Sequence, residues 1–225
     1  MKKLFVLFLA ISIITSTAFA RHGGGAALFV PLTGSFAFTD IRTSDGKKID
    51  SLKSSGAFDF GVLLQPGYFY DFSGLIGLDV LADIGYYRSS YNFRDTANSG
   101  SMVSYNFDTL NLGAMVRVSI LFLSLGIGSG VKLPLQANIQ YADNKITYNY
   151  DKIKENFHNA YIPYIKFTID FRYYLNSFSA LSAGLYFNYD FNINQKMPNY
   201  SRYNISSFDF GFQVGAYLVG SSDYY

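Results

Sequence analysis

The sequence predicts an all-β fold, an eight-stranded antiparallel up-and-down transmembrane β-barrel, on three observations. Eight runs alternate apolar residues with small or polar ones at period two, as strands with unlike faces do. Long polar connections alternate with short ones. The polar faces consist largely of Gly, Ser, Asn, Thr and Gln, and the chain has one Glu, Glu155, whereas a water-facing surface is rich in Lys and Glu.

The chain opens with Lys2 and Lys3, an apolar run from Leu4 to Ile14, and Ala18-Phe19-Ala20. This is the pattern of a secretory signal peptide cleaved between Ala20 and Arg21, which divides the chain into a leader (1–20) and a barrel domain (21–225). The apolar run is too short for a membrane-spanning helix, which needs about 20 residues. Loss of Lys2 and Lys3 lowers the basic count from 18 to 16, equal to the acids, and leaves no electrostatic case for nucleic acid. With no Cys there is neither a disulfide staple nor a thiolate metal site, and no cofactor is expected.

The runs fall at about 26–39, 56–70, 75–91, 103–118, 123–141, 161–174, 180–193 and 206–220. In the first, Leu28, Val30, Leu32, Phe36 and Phe38 share a face. The second sets Phe58, Phe60, Val62 and Leu64 against Asp59, Gly61 and Gln65. In the third, Leu78, Val80, Ala82, Ile84 and Tyr86 oppose Asp79 and Asp83, and in the fourth Leu110, Leu112, Ala114, Val116 and Val118 oppose Asn111 and Arg117. Parity changes at a tight turn near 119–122. The fifth run then has Leu125, Ile127, Val131, Leu133, Leu135 and Ile139 opposite Lys132, Gln136 and Asn138. In the sixth, Ile165, Phe167, Ile169 and Phe171 oppose Lys166, Asp170 and Arg172. The seventh sets Leu181, Ala183, Leu185, Phe187, Tyr189 and Phe191 against Ser182, Gly184, Tyr186, Asn188 and Asp190, and the eighth sets Phe208, Phe210, Phe212 and Val214 against Asp209 and Gln213. Long connections at 40–55, 92–101, 142–159 and 194–204 and short ones at 71–74, 119–122 and 175–178 place both termini at the short-turn end. Pro31, Pro66, Pro134 and Pro163 fall toward strand ends, where pairing can stop or bulge.

A soluble lipocalin-like barrel shares this pattern with its apolar face inward. Tyr68, Tyr70 and Tyr173 at one end of the apolar face, and Tyr86, Tyr141, Tyr161 and Tyr189 at the other, favour the membrane, where such residues form girdles at the two interfaces. The runs also reach the ~9–11 residues that a tilted membrane strand requires. On these features residues 26–220 resemble the small eight-stranded outer-membrane proteins of the OmpA transmembrane-domain and OmpX type. The nearest thing to a motif is the alternating aromatic last strand, "FDFGFQVGAYLVG", although "SSDYY" trails after it where that family often ends on a strand-terminal aromatic. The resemblance implies a place in the bacterial outer membrane, with outer-membrane lipid and the barrel-insertion machinery as partners.

Inside so narrow a barrel charges must pair. The sequence predicts a lumen charge network in which Arg117, Lys132, Lys166 and Arg172 are neutralised by Asp79, Asp83 and Asp170. It reads as a polar plug that holds the wall, or as the lining of a narrow pore for small solutes. A lipid-modifying enzyme ranks third: His158 and Glu155 are near one another, but no nucleophile–base–orienter set is specified, so no catalytic residue is assigned. The alternating glycines of "GIGSG" make room on the inward face and are no phosphate loop. The loops, the longest mixing Tyr148, Tyr150 and Phe157 with Lys145, Lys152 and Lys154, are the candidate surface for extracellular or host ligands. The expected role is envelope integrity or surface interaction, without catalysis.

Overall fold

The structure, a computed structural model, describes residues 22–72, 76–97, 100–142, 144–176 and 179–219. The expected cleavage-site residues Ala18, Ala20 and Arg21, and the trailing "SSDYY", lie outside the described residues. The strands are β1 (His22–Thr43), β2 (Lys48–Ile49), β3 (Leu52–Ser54), β4 (Ala57–Asp71), β5 (Ile76–Asp95), β6 (Ser101–Ile120), β7 (Leu123–Tyr141), β8 (Asn144–Asn149), β9 (Ile162–Tyr174), β10 (Ser179–Asn194) and β11 (Tyr200–Val219). A helix, α1 (Tyr150–Asn156), lies between β8 and β9.

The eight long strands pair antiparallel with their neighbours in chain order, and β11 returns to β1 from Gly25↔Val219 to Thr43↔Tyr200. The sheet is a closed up-and-down barrel. Each long strand coincides with one alternating run, but several continue beyond it toward the long-loop end. There the outer face of β5 and β6 turns polar: Tyr86 donates a hydrogen bond to Asp108 (2.5 Å), and Arg88 lies opposite Asp108. The sequence reading left the long connections as plain loops. Instead β2 extends β1, β3 extends β5, β8 extends β7, and α1 crosses the mouth.

Orientation of the faces follows the alternation. Phe36, Phe58, Ile127, Phe171 and Phe212 point outward and stay exposed, Phe212 at 65%, while Asp59, Asp83, Lys132 and Asp209 are buried inside. This is the inverse of a soluble barrel, and the apolar band suits hydrocarbon. Closure satisfies the ladder without a free edge, which only helices and closed barrels achieve in a bilayer. Tyr68, Tyr70 and Tyr173 are exposed at the short-turn end, and Tyr141 and Tyr161 toward the loops.

One face assignment is corrected. Thr109 pairs with Pro134 and Asp108 with Gln136, so Leu135 is an extra residue in β7. Proline cannot donate to the ladder, and the bulge reverses parity beyond it. Ala137 and Ile139 therefore face inward, and Gln136 and Asn138 outward.

The interior is also less polar than the sequence suggested. An apolar cluster near the short-turn end contains Phe29, Phe69, Tyr87, Met115, Tyr186 and Tyr217. A second, at the mouth, joins Tyr91, Phe93, Tyr105 and Phe107 of the wall to Ile153 and Phe157, carried in by α1 and its C-terminal flank. Small residues opposite make these large inward rings possible. A Cβ on Gly61 would lie 2.5 Å from the Tyr87 ring and 2.9 Å from the Tyr86 carbonyl oxygen. Gly61→Val is therefore expected to destabilise the barrel by about 1–3 kcal/mol through overpacking, seen as a lower urea midpoint of the refolded protein. Gly24→Val, with nothing within 4 Å of its Cβ, is the control expected to change it little.

Candidate functional site

Two places hold concentrated chemistry: the mid-lumen charges and the groove at the loop end. In the lumen each cation of the predicted network has a carboxylate partner across the barrel. Arg172 donates to Asp79, and Lys166 to Asp83. Arg117 Nε lies 3.7 Å from Asp170 Oδ2. Lys132 departs from the expected arrangement. Its Nζ meets Asp190 at 2.7 Å and Asp209 at 3.9 Å, both outside the predicted set of neutralising residues.

These pairs sit in a web that sequence reasoning missed. Asp83 also accepts from Gln65 Nε2 (2.8 Å) and the Tyr164 hydroxyl (2.9 Å). Asp190 accepts from the Tyr91 hydroxyl (2.8 Å), and Asn188 Nδ2 donates to both Asp190 and Asp209 (2.8 and 2.9 Å). Lys132 stands 4.1 Å from the centre of the Tyr87 ring, and the Arg117 guanidinium 4.3 Å from that of Phe29. The ion pairs and the Tyr91–Asp190 bond join strands two to four apart in the ring and so fix the wall's cross-section. The arrangement can brace a barrel. Lys132 Nζ also donates to the Ser89 hydroxyl at 2.9 Å.

At the mouth, α1 starts at Asn149, whose side chain accepts from Lys152 N, and its buried Ile153 faces the lumen with Phe157 just beyond. The segment is tied to the last long connection: His158 N donates to the Asn194 carbonyl and Lys196 N to that of Asn156, both at 2.8 Å. Along this connection runs a groove of about 490 Å³, lined by His158 and by residues of 194–203 that include Asn194, Lys196, Tyr200, Arg202 and Tyr203. Tyr105, rooted in β6, hydrogen-bonds Gln195 (3.1 Å) and the Tyr203 hydroxyl (2.9 Å) beneath it. In the first loop charges neutralise one another: Lys48 donates to Asp50 at 2.8 Å, which holds that carboxyl below its usual range.

The chain is a β-barrel of the outer-membrane type. No family model matches the sequence, and no curated protein matches it. Some solved structures are similar to it at low identity. Neisserial surface protein A (NspA) is 13% identical, with 86% of this chain and 99% of that one covered and a TM-score of 0.40. The outer-membrane protease OmpT of Escherichia coli is 11% identical, with 89% and 97% covered and a TM-score of 0.47. OprG of Pseudomonas aeruginosa is 13% identical, with 88% and 98% covered and a TM-score of 0.41. These likenesses concern the barrel alone.

His158, weighed as a catalytic candidate, is exposed at the groove, and Glu155 is exposed on α1. Among the described residues no group of three or more His, Cys, Asp or Glu is placed to hold a metal ion. The lumen charges lend themselves to a direct test. Lys132→Met leaves Asp190 and Asp209 facing each other without their cation and should cost about 3–5 kcal/mol of stability. The urea midpoint of the refolded protein should fall accordingly, and Asp190→Leu in the same chain should recover part of the loss.

Proposed function

We propose that this protein is a non-catalytic outer-membrane barrel that braces the envelope and presents its extracellular loops as an interaction surface. The observation that carries the proposal is the sealed lumen beneath structured loops. Buried rings and ion pairs alternate through the interior, and Ile153 and Phe157 pack into the mouth. The loops, by contrast, carry strand extensions and a capped helix cross-linked by backbone hydrogen bonds. Ordering so much chain outside the membrane costs conformational entropy, which a purely solvated loop would not incur. Outer-membrane lipid surrounds the wall, the barrel-insertion machinery delivers it, and residues 1–20 serve as its export signal.

The reading has two measurable consequences. Refolded protein in planar bilayers should give no discrete conductance steps; reproducible steps would support the pore instead. Cells carrying Tyr150→Ala, Lys152→Ala and Lys154→Ala together, all exposed positions that spare the buried Ile153, should keep the heat-modifiable barrel at normal abundance. Their attachment to host-cell or extracellular-matrix surfaces should fall severalfold, and unchanged attachment would leave only the bracing role.

A further inference from the structure

The groove along 194–203, with His158 at its edge, combines cations with aromatic rings. Its lining contains His158, Lys196 and Arg202 and no acidic residue. Nearby carboxylates leave this charge incompletely neutralised. Asp40 is shared by Arg202 (2.8 Å) and Arg42 (3.3 Å), two guanidiniums on one carboxylate. On α1, Asp151 and Glu155 face the balance of Lys152 and Lys154. Lys196 Nζ spends one donor on the Lys154 carbonyl (3.1 Å), and an ammonium has three.

Aromatic rings sit beside these cations. Tyr200 and Tyr203 meet edge to face with centroids 5.7 Å apart, presenting flat apolar surface beside their hydroxyls. Asn194, Gln195 and Ser201 supply amide and hydroxyl groups along the same groove. The framework is built in advance: Tyr105 holds Tyr203 and Gln195 from the barrel wall, and Ser201 Oγ donates to the Thr43 carbonyl at 2.7 Å. The volume falls within the ~300–1,000 Å³ of small-ligand sites.

We propose that this groove binds a small anionic saccharide. Lys196 and Arg202 would take its carboxylate or sulfate, the Tyr200–Tyr203 pair would pack against the C–H face of a sugar ring, and the amides would meet its hydroxyls. A neutral sugar leaves the cations unanswered, and a bare anion leaves the rings unused. The proposal rests on the surface-interaction reading above and names the chemistry that the surface selects.

The test is calorimetric titration of the refolded mature chain in detergent with three probes. These are a uronate-bearing disaccharide (glucuronyl-N-acetylglucosamine), neutral chitobiose, and inorganic phosphate. The uronate disaccharide should bind saturably, at least about tenfold more tightly than either other probe, because only it answers the cations and the rings together. Lys196→Gln and Tyr200→Ala should each weaken it about tenfold or more. Arg88→Gln, away from the groove, should leave binding unchanged, and all variants should keep heat-modifiable migration. Absence of saturable heat, equal binding of chitobiose, or phosphate binding as tightly as the disaccharide with no effect of Tyr200→Ala would each overturn the proposal. If that occurs while the α1 triple variant still loses surface attachment, the interaction role survives and the saccharide site does not.

Discussion

Hydrocarbon offers a peptide group no hydrogen-bond partner, so each unpaired N–H or C=O inside a bilayer costs several kcal/mol. For this chain that constraint is met by the seam between β1 and β11, which runs nearly the full height of the wall. Were the seam open, two long strands would present unpaired edges to lipid. With it closed, the outer face is free to be apolar everywhere and the inner face can hold ions that no lipid-facing surface would tolerate. The phenylalanine band and the buried salt bridges both depend on that closure.

The interior answers a second constraint. A ring of eight strands is only wide enough for side chains to fill it, so every inward position is either part of a packed cluster or part of a polar web. The chain uses both. Aromatic clusters pack the interior, and among them Lys132, Lys166, Arg117 and Arg172 each reach a carboxylate on a strand that is not a neighbour. Buried ion pairs rarely add net stability over apolar packing, but breaking one is expensive. Their value here lies in fixing which strands stand opposite one another. A rigid wall of this kind is a sound base for structured loops, and the hydrogen bonds from Tyr105 into the groove show the wall reaching into them.

Much of this was legible in local periodicity. The strands, their order and the outward set of residues follow from alternation, because a strand's faces are decided by neighbours two positions apart. What periodicity could not supply was information carried between strands. Alternation gives the face of Lys132, but its partner Asp190 lies 58 residues away and depends on register. Tyr87, Phe29 and Tyr186 share a face with small polar residues, and the glycines that make room for Tyr87 and Phe29 sit across the ladder rather than beside them in sequence. Pro134 was recognised as a place where pairing can bulge, yet the reversal of Ile139 needed the count of residues on the opposite strand. Helix α1 did leave a local signal: Asn149 is a good cap, Asp151 suits the first turn, and Ile153 and Phe157 are four residues apart. In a chain of strands that signal was overshadowed by the tyrosines and lysines around it.

Because the chain contains no Trp, single tryptophans report their surroundings without background, and they test the orientation of the wall most directly. Phe212→Trp, on the exposed face, and Phe107→Trp, buried in the mouth cluster, should be reconstituted separately into bilayers with bromine-labelled acyl chains. The outward tryptophan should be strongly quenched by the bromolipid and the inward one hardly at all. Quenching of the inward residue, with the outward one accessible only to aqueous quenchers, would contradict the account at its foundation.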